Sequence, residues 1–297
     1  MGARTTSRHG QAKASKIEKY LMKDIANRIV TVGDPQRARI MAQQLDKILF
    51  EHTSHRGFLT ITGMYQGVPL SIVAIGMGLS MMDFFVRETR MVVHGPLAIV
   101  RFGSCGSICD AMPGDVIIAE SAFAISRNYE YFQQQQQGVG EPYVLSSLVK
   151  SDPELTRLLR DGMGMVGGRV VGGAVGNADS FYGSQGRLGD DFHDCNEGLV
   201  KRAREERGAV ALEMESHMLF HLAQTSTGAQ NDRPPSIRAA CALLVFADRS
   251  GNSFIEPQVS ARMVVEATKS VFDALVKFMP IQDGGLHPEP GSVWEGK

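Results

Sequence analysis

Short β-branched runs and amphipathic patterns take turns along nearly the whole of this chain, and that alternation leaves few folds open. NRIVTVG at 27–33 reads as a strand closing on Gly33. DPQRARIMAQQL then opens a helix, with Asp34 at the cap and Pro35 in the first turn. FLTITGMY and VPLSIVAIGMG read as two strands joined at Gln66-Gly67, a hairpin signal. SMMDFFVRETRMVVHG is helical, LAIVRFG and DVIIAE are strands, and DPELTRLLRDG is a capped helix. GRVVGGAVG is a further strand, GLVKRAREERG a charged helix, and AVALEMES passes from strand into helix. IRAACALLVFA is a late buried strand, and VSARMVVEATKSVFDALVKFM an amphipathic helix. This order predicts one α/β domain over residues 27–280, with helices on both faces of a central sheet. Residues 1–26 read as a flexible leader, 281–297 as a loose tail, and the QQQQQ run at 133–137 as a surface insertion.

Composition removes several classes of function. The net charge of −1 and a pI near 6.7 give no basic footprint, which argues against a nucleic-acid polymer as partner. No apolar run approaches the roughly 18 residues that span a bilayer, so no membrane partner is expected. The basic, polar N-terminus lacks the apolar core of a secretory signal. Cys105, Cys109, Cys195 and Cys241 are scattered, without the paired spacing of a zinc site. A reduced, cytoplasmic protein without a bound metal is the expectation.

In sheets of this kind chemistry collects where strands end. GDPQR follows the first strand and supplies Gly33 and Arg37; RFGSCGS supplies Arg101, Gly103 and Ser104; HTSHRGF supplies Arg56. Glycines let backbone N–H groups approach an anion, and arginines meet its oxygens with a bidentate fork. Any one of these arginines alone would read as a solvated surface residue. Arg101 differs, because it interrupts the apolar run LAIVRFG, where an unpaired charge is costly. That placement asks for a buried anion. A second unusual stretch is DSFYGSQGR at 179–187, which sets two aromatics, Gln185 and Arg187 among turn formers. It suits a planar ring with polar edges, although a glycine turn with solvated Gln and Arg would explain it in isolation.

GDPxR, SHRxF, RxGSCG, FYxxQxR and EMES occur in that order between positions 33 and 216. Together they resemble the nucleoside phosphorylase family, which includes uridine phosphorylases and hexameric-type purine nucleoside phosphorylases. The likeness runs from about Asn27 to the last helix, and FYxxQGRL is most similar to the uridine branch. It implies a mixed, distorted, barrel-like sheet flanked by helices, and phosphate-dependent cleavage of uridine, with deoxyuridine open as a second substrate. It also implies roles. Phosphate would lie between the Gly33 N–H, Arg37, Arg101 and Ser104, with Arg56 supplied by a neighbouring chain. Met214 and Glu215 would line the ribose, while Phe181, Gln185, Arg187 and Arg249 would face the base. Arg101, Gln185, Arg187 and Glu215 are the expected catalytic set. Inorganic phosphate would be co-substrate, with no cofactor, and a homodimer the minimal unit, a hexamer being the larger alternative.

Some positions depart from that pattern. Asp248, in ADRS, stands where the uridine branch carries Asn, whereas the purine branch uses an acid there to protonate the leaving base. Purine nucleoside cleavage therefore remains the alternative reading, and a catalytically silent nucleoside-binding relative the third. Gly57 follows the SHR arginine where bacterial relatives place an acid at a cation site, so no such site is expected. No upstream histidine aligns for the 5′-hydroxyl: His9 alone precedes the first strand. His94, His217 and His221 fall in helical patterns and read as packing or surface residues.

Overall fold

The computed structural model describes residues 24–93, 95–133, 140–226, 236–249, 251, 253–278, 281 and 291–295. Most of the expected leader with His9, His94, and residues 134–137 of the glutamine run lie outside these described residues.

The first strand and helix form as the residues dictate. RIVTV makes β1 (Arg28–Val32), buried along its whole length. Asp34 caps α1 (Pro35–Ala42) by accepting from the Gln36 and Arg37 N–H groups, with Pro35 at the first position, where no donor is lost. β2 (Lys47–Thr53), β3 (Leu59–Tyr65) and β4 (Val68–Ala74) form an antiparallel meander. Gln66 and Gly67 join the last two with positive φ angles of 52° and 75°, the backbone twist that a two-residue hairpin requires. Next come α2 (Leu79–Val92), β5 (Leu97–Ser107), β6 (Val116–Arg127) and α3 (Tyr129–Gln133). β7 (Tyr143–Leu145), β8 (Val149–Lys150), α4 (Pro153–Met163) and β9 (Val170–Ala178) follow. The chain continues through α5 (Leu199–Arg207), β10 (Ala209–Glu213), α6 (Ser216–Thr225), β11 (Ile237–Asp248), β12 (Ser253–Phe254) and α7 (Pro257–Lys277).

The strands form one mixed sheet, and part of it closes on itself. β5 pairs in parallel with β11, β11 antiparallel with β6, β6 in parallel with β9, β9 in parallel with β10, and β10 antiparallel with β5. This circuit is a small barrel, and β1, β4, β3 and β2 extend from β5 as an open wing. Alternation along β5 decides which helices cover which face. Ala98, Val100 and Phe102 pack with α1, α4 and α7, while Leu97 and Ile99 pack with α2 and α6. A third cluster joins Phe123 and Ile125 of β6 to Leu199 and Ala203 of α5.

The strand expected over LAIVRFG, with Arg101 and Gly103 inside it, runs further than that stretch: β5 continues through Ser107, because β11 pairs with it from Leu97 onward and β10 joins at Gly106 and Ser107. Ser104 therefore sits in the strand as well. The packed body also extends past residues 27–280 on both sides. Asp24, Ile25 and Ala26 are buried, as are Ile281 and Trp294. The Val293 N–H donates to the Asp24 carboxylate at 2.8 Å, tying the described ends of the chain together.

Asp152 carries a double load. It caps α4 through the Leu155 N–H and pairs with Arg238 of β11. Asp152→Asn keeps a capping oxygen and loses the ion pair, whereas Asp152→Ala loses both. Asp152→Ala is expected to be less stable than Asp152→Asn by about 1–2 kcal/mol, read from urea denaturation midpoints.

Candidate active site

Arg101 organises the site. It pairs in register with Thr31 of β1 on one side and Cys241 of β11 on the other, and it is 3% exposed. Its Nη2 donates to Glu215 Oε2 at 2.6 Å, and Glu215 is itself 4% exposed. The other Glu215 oxygen accepts the Gly78 N–H at 2.5 Å. Gly78 caps α2 with φ near 103°, a left-handed conformation that favours glycine. Arg101 Nε and Nη1 are buried and have no hydrogen-bond partner among the described residues. Leaving buried donors of a charged group unmatched costs more than about 1–3 kcal/mol. Their presence marks a place built to receive oxygens.

Of the residues expected around phosphate, Gly33 and Arg37 stand by this guanidinium; Ser104 and Arg56 are not brought to it by any contact among the described residues. A Cβ on Gly33 would lie 3.5 Å from Arg101 Nη2 and 3.3 Å from the Gly76 carbonyl, so Gly33 keeps the β1 end close to the arginine. Arg37 lies between the rings of Phe102 and Phe246, its Nη1 donating to the Phe102 carbonyl at 3.3 Å. Burial, and then the charge of Arg101, bring its pKa down to about 10, against the opposing pull of Asp34. Arg37 remains a cation at neutral pH, so two arginines share this corner with one glutamate. Ser104 is half-buried further along β5. Arg56 is elsewhere on this chain: its guanidinium stacks 4.6 Å over Phe84 and lies 3.8 Å from Glu88, both on α2.

Glu213 and Glu215 divide the acidic work at the start of α6. Glu213, 3% exposed, accepts from the Glu215 N–H, the Ser216 N–H and the Ser216 hydroxyl. It caps the helix, as acids at a helix N-terminus do. Its carboxyl is nevertheless pushed up to about 7 by burial and then by the charge of Glu215. The preceding Glu213 thus fixes the backbone from which Glu215 reaches Arg101. Met214 is half-buried between them.

The stretch 179–187 leaves the end of β9 and folds into a 3-10 turn at Gly183–Gln185. Gly186 ends it with φ near 64°. Arg187 lies 4.3 Å over the Phe181 ring and donates through Nε to the Phe181 carbonyl. Phe181 is 42% exposed, whereas Gln185 is 3% exposed, and the Gln185 carboxamide makes no hydrogen bond to the described residues. Arg249 takes a different place from the one expected. Its Nη1 and Nη2 donate to the Gln185 and Gly186 carbonyls, so it holds the loop's backbone. Burial, with the nearby charge of Arg187, lowers its pKa to about 10. Asp248 accepts the Gly251 N–H at 2.8 Å and closes the turn after β11. His217 and His221 stack on one another along α6, in keeping with a packing role.

Two contributors escaped the sequence reading. Gly78 supplies the second hydrogen bond to Glu215, and the glycine spacing in IGMG was its available signal. Asn196 donates to the Gly183 and Arg187 carbonyls, and nothing local in CNEG announces that.

Two buried arginines beside a glutamate have the chemistry to hold an anion, and a loop carrying an amide, a guanidinium and an aromatic face has the chemistry to meet a flat heterocycle. Residues 27–277 match the Phosphorylase superfamily, and the chain belongs to it. Its relatives are nucleoside phosphorylases. A uridine phosphorylase of Thermococcus kodakarensis is 30% identical over 235 residues, covering 78% of this chain and 76% of that protein. A DeoD-type purine nucleoside phosphorylase of Mycoplasma pneumoniae is 28% identical over 198 residues, 66% of this chain and 75% of that one. A solved structure from work on two diverse uridine phosphorylases of the oomycete Phytophthora capsici superposes with a TM-score of 0.79. It is 36% identical, over 86% of this chain and 91% of that one.

Glu213 gives stability a definite pH dependence. Its folded pKa, about 7, stands above the ordinary 4.5, so the folded form keeps a proton that the unfolded chain releases. Stability should fall as pH rises from about 4.5 to 7, by on the order of 1–3 kcal/mol. Glu213→Gln cannot ionise, and urea denaturation at pH 5 and pH 7.5 should show a shallower loss for it than for the parent. An unchanged slope would locate the titration elsewhere.

Proposed function

We propose that the protein cleaves uridine with inorganic phosphate, giving uracil and ribose 1-phosphate. The observation that carries this reading is Arg101: a buried guanidinium ion-paired to Glu215, with Nε and Nη1 still in need of acceptors. In this reading phosphate oxygens take those donors, together with the Gly33 N–H, Arg37 and Ser104. Glu215 then accepts from the ribose hydroxyls, with Met214 against the sugar.

Catalysis is positioning plus charge stabilisation. A phosphate oxygen attacks the anomeric carbon as the C1′–N1 bond breaks, the bonding pair leaves with the base, and N1 of the departing uracil takes up, by way of water, the proton that the phosphate gives up. The sugar becomes cationic between the incoming phosphate and Glu215. Negative charge spreads onto the uracil carbonyl oxygens. Gln185 donates its NH2 to O2 and accepts N3–H, and Arg187 donates to O4. These contacts strengthen as charge develops, so they favour the transition state over the bound substrate. Phe181 offers its face to the ring. Arg249 contributes through the loop carbonyls that it holds. No cofactor enters this scheme. Arg56, on the outer face of α2, would complete the phosphate site of a second copy, making a homodimer the minimal unit. Four free cysteines fit a reducing cytoplasm.

Two observations favour uridine over purine nucleosides. The Asp248 carboxylate accepts the Gly251 N–H through Oδ2 and closes the turn after β11, a structural role that accounts for an acid at this position without purine chemistry. Gln185 and Arg187 also match the polar edge of uracil, which has no basic N7.

Base release should require phosphate or arsenate; equal rates in phosphate-free buffer would mean hydrolysis and overturn the assignment. Arg101→Ala should lower kcat/KM by roughly a hundredfold or more, by analogy with the loss of one charge-stabilising donor.

Gln185→Ala and Arg187→Ala should each cost about 2.7–4 kcal/mol of transition-state stabilisation with uridine. Asp248→Asn should leave most of the activity. Parallel assays with inosine decide the alternative. If inosine is the better substrate and Asp248→Asn abolishes its cleavage, the purine reading replaces this one. Release of no base from either nucleoside would leave a binding protein.

A further inference from the structure

The turn formed by residues 183–187 has little regular structure to hold it, yet its side chains must meet a ring edge to within a few tenths of an ångström. Its backbone shows how. Four of its carbonyl oxygens are tied down by side chains from outside. Arg249 donates to Gln185 O at 2.6 Å and to Gly186 O at 3.3 Å. Asn196 Nδ2 donates to Gly183 O at 2.9 Å and to Arg187 O at 3.0 Å. The two hydrogens of one amide nitrogen thus join the first and last carbonyls of the turn. Asn196 is 4% exposed, so these bonds are sheltered from water.

The same asparagine is anchored from behind. Its own carbonyl accepts the Leu199 N–H at the start of α5. Val200 of that helix packs so closely on the turn that a Cβ on Gly186 would come within 2.9 Å of it. On the other flank Arg127, Asp194 and Tyr143 crowd Gly183, where an added Cβ would meet each of them below 3.0 Å. The turn is therefore held in a socket, and Asn196 spans it.

We propose that Asn196 is a positioning residue that sets base discrimination. By fixing the distance between the Gly183 and Arg187 carbonyls, it fixes where the Arg187 guanidinium and the Gln185 amide stand relative to each other. It touches neither substrate nor any member of the Arg37–Arg101–Glu215 group. Its removal should blur the reading of the base while leaving phosphate recognition intact. This inference rests on the uracil reading of Gln185 and Arg187 given above.

The test compares uridine with its 4-deoxy analogue, a pyrimidin-2-one riboside that lacks both the O4 assigned to Arg187 and the N3–H assigned to Gln185. The kcat/KM ratio of the two is measured for the parent, Asn196→Ala and Asn196→Ser, with inorganic phosphate as co-substrate. Near-ultraviolet circular dichroism confirms the fold of each. The intrinsic reactivity of the analogue cancels when ratios are compared. Asn196→Ala should reduce the uridine preference by about tenfold or more, with the KM for phosphate within about twofold of the parent. Asn196→Ser, which keeps a single donor, should fall between, and it carries the same criterion if the alanine variant does not fold. Equal losses on both substrates, or no loss on either, would assign Asn196 a merely structural role and overturn the proposal. A parent protein that cleaves inosine and not uridine overturns the uracil reading by itself, and this inference with it.

Discussion

A buried guanidinium in the middle of a sheet is the constraint to which the rest of this site answers. Arg101 can occupy β5 only because Glu215 meets it at 2.6 Å, since an uncompensated charge at such depth would cost several kcal/mol. Glu215 in turn must arrive from one direction, and the strand-to-helix junction of β10 and α6 delivers it. Glu213 fixes that junction by capping α6, and the Gly78 N–H holds the second carboxylate oxygen. Small residues surround the arginine for the same reason. A Cβ on Gly103 would lie 3.2 Å from Arg101 Nε and 2.8 Å from Leu243, so the strand has no room for one.

Two buried cations stand close together here. Arg37 adds its guanidinium to that of Arg101, its pKa depressed to about 10 by burial and then by Arg101, with Asp34 pulling the other way, while Glu215 pairs with Arg101. Charges interact more strongly in such a region of low dielectric than at the surface. Cys105 and Cys241 border it, and burial, assisted by the charge of Glu213, pushes both thiols well above their usual range. They behave as small apolar packing residues.

Much of the fold was legible because local pattern and tertiary environment agree. β1, β9 and β11 are apolar runs that become buried strands, and the Asp34 and Asp152 caps appear where Asp-Pro predicts them. β2 was not legible: KILFEHT is largely exposed, and only its pairing with β3 makes it a strand. Barrel closure was outside the reach of periodicity as well, because β5–β11 pairing joins residues about 140 apart in sequence. At the site, Arg101 announced itself as a charge inside an apolar run. Arg249 and Asn196 did not. Their meaning lies in which carbonyls they meet, and a sequence carries no local sign of a side chain's tertiary acceptor.

The sheet and the turn at 183–187 differ in how they are held. Arg101 and its partners are built into strands and a helix start that the barrel depends on, so substitution there threatens the fold. The turn at 183–187 hangs from the scaffold by side-chain bonds to its own carbonyls, while Gly183 and Gly186 have no room for a Cβ and Ser184 is bonded to Asp179 and Ser180. Only the Gln185 and Arg187 side chains hold no strand or helix end, so a lineage could exchange those two while the glycines, the serine and the sheet stay as they are. Such a division makes the molecule a durable chassis with two exchangeable fittings.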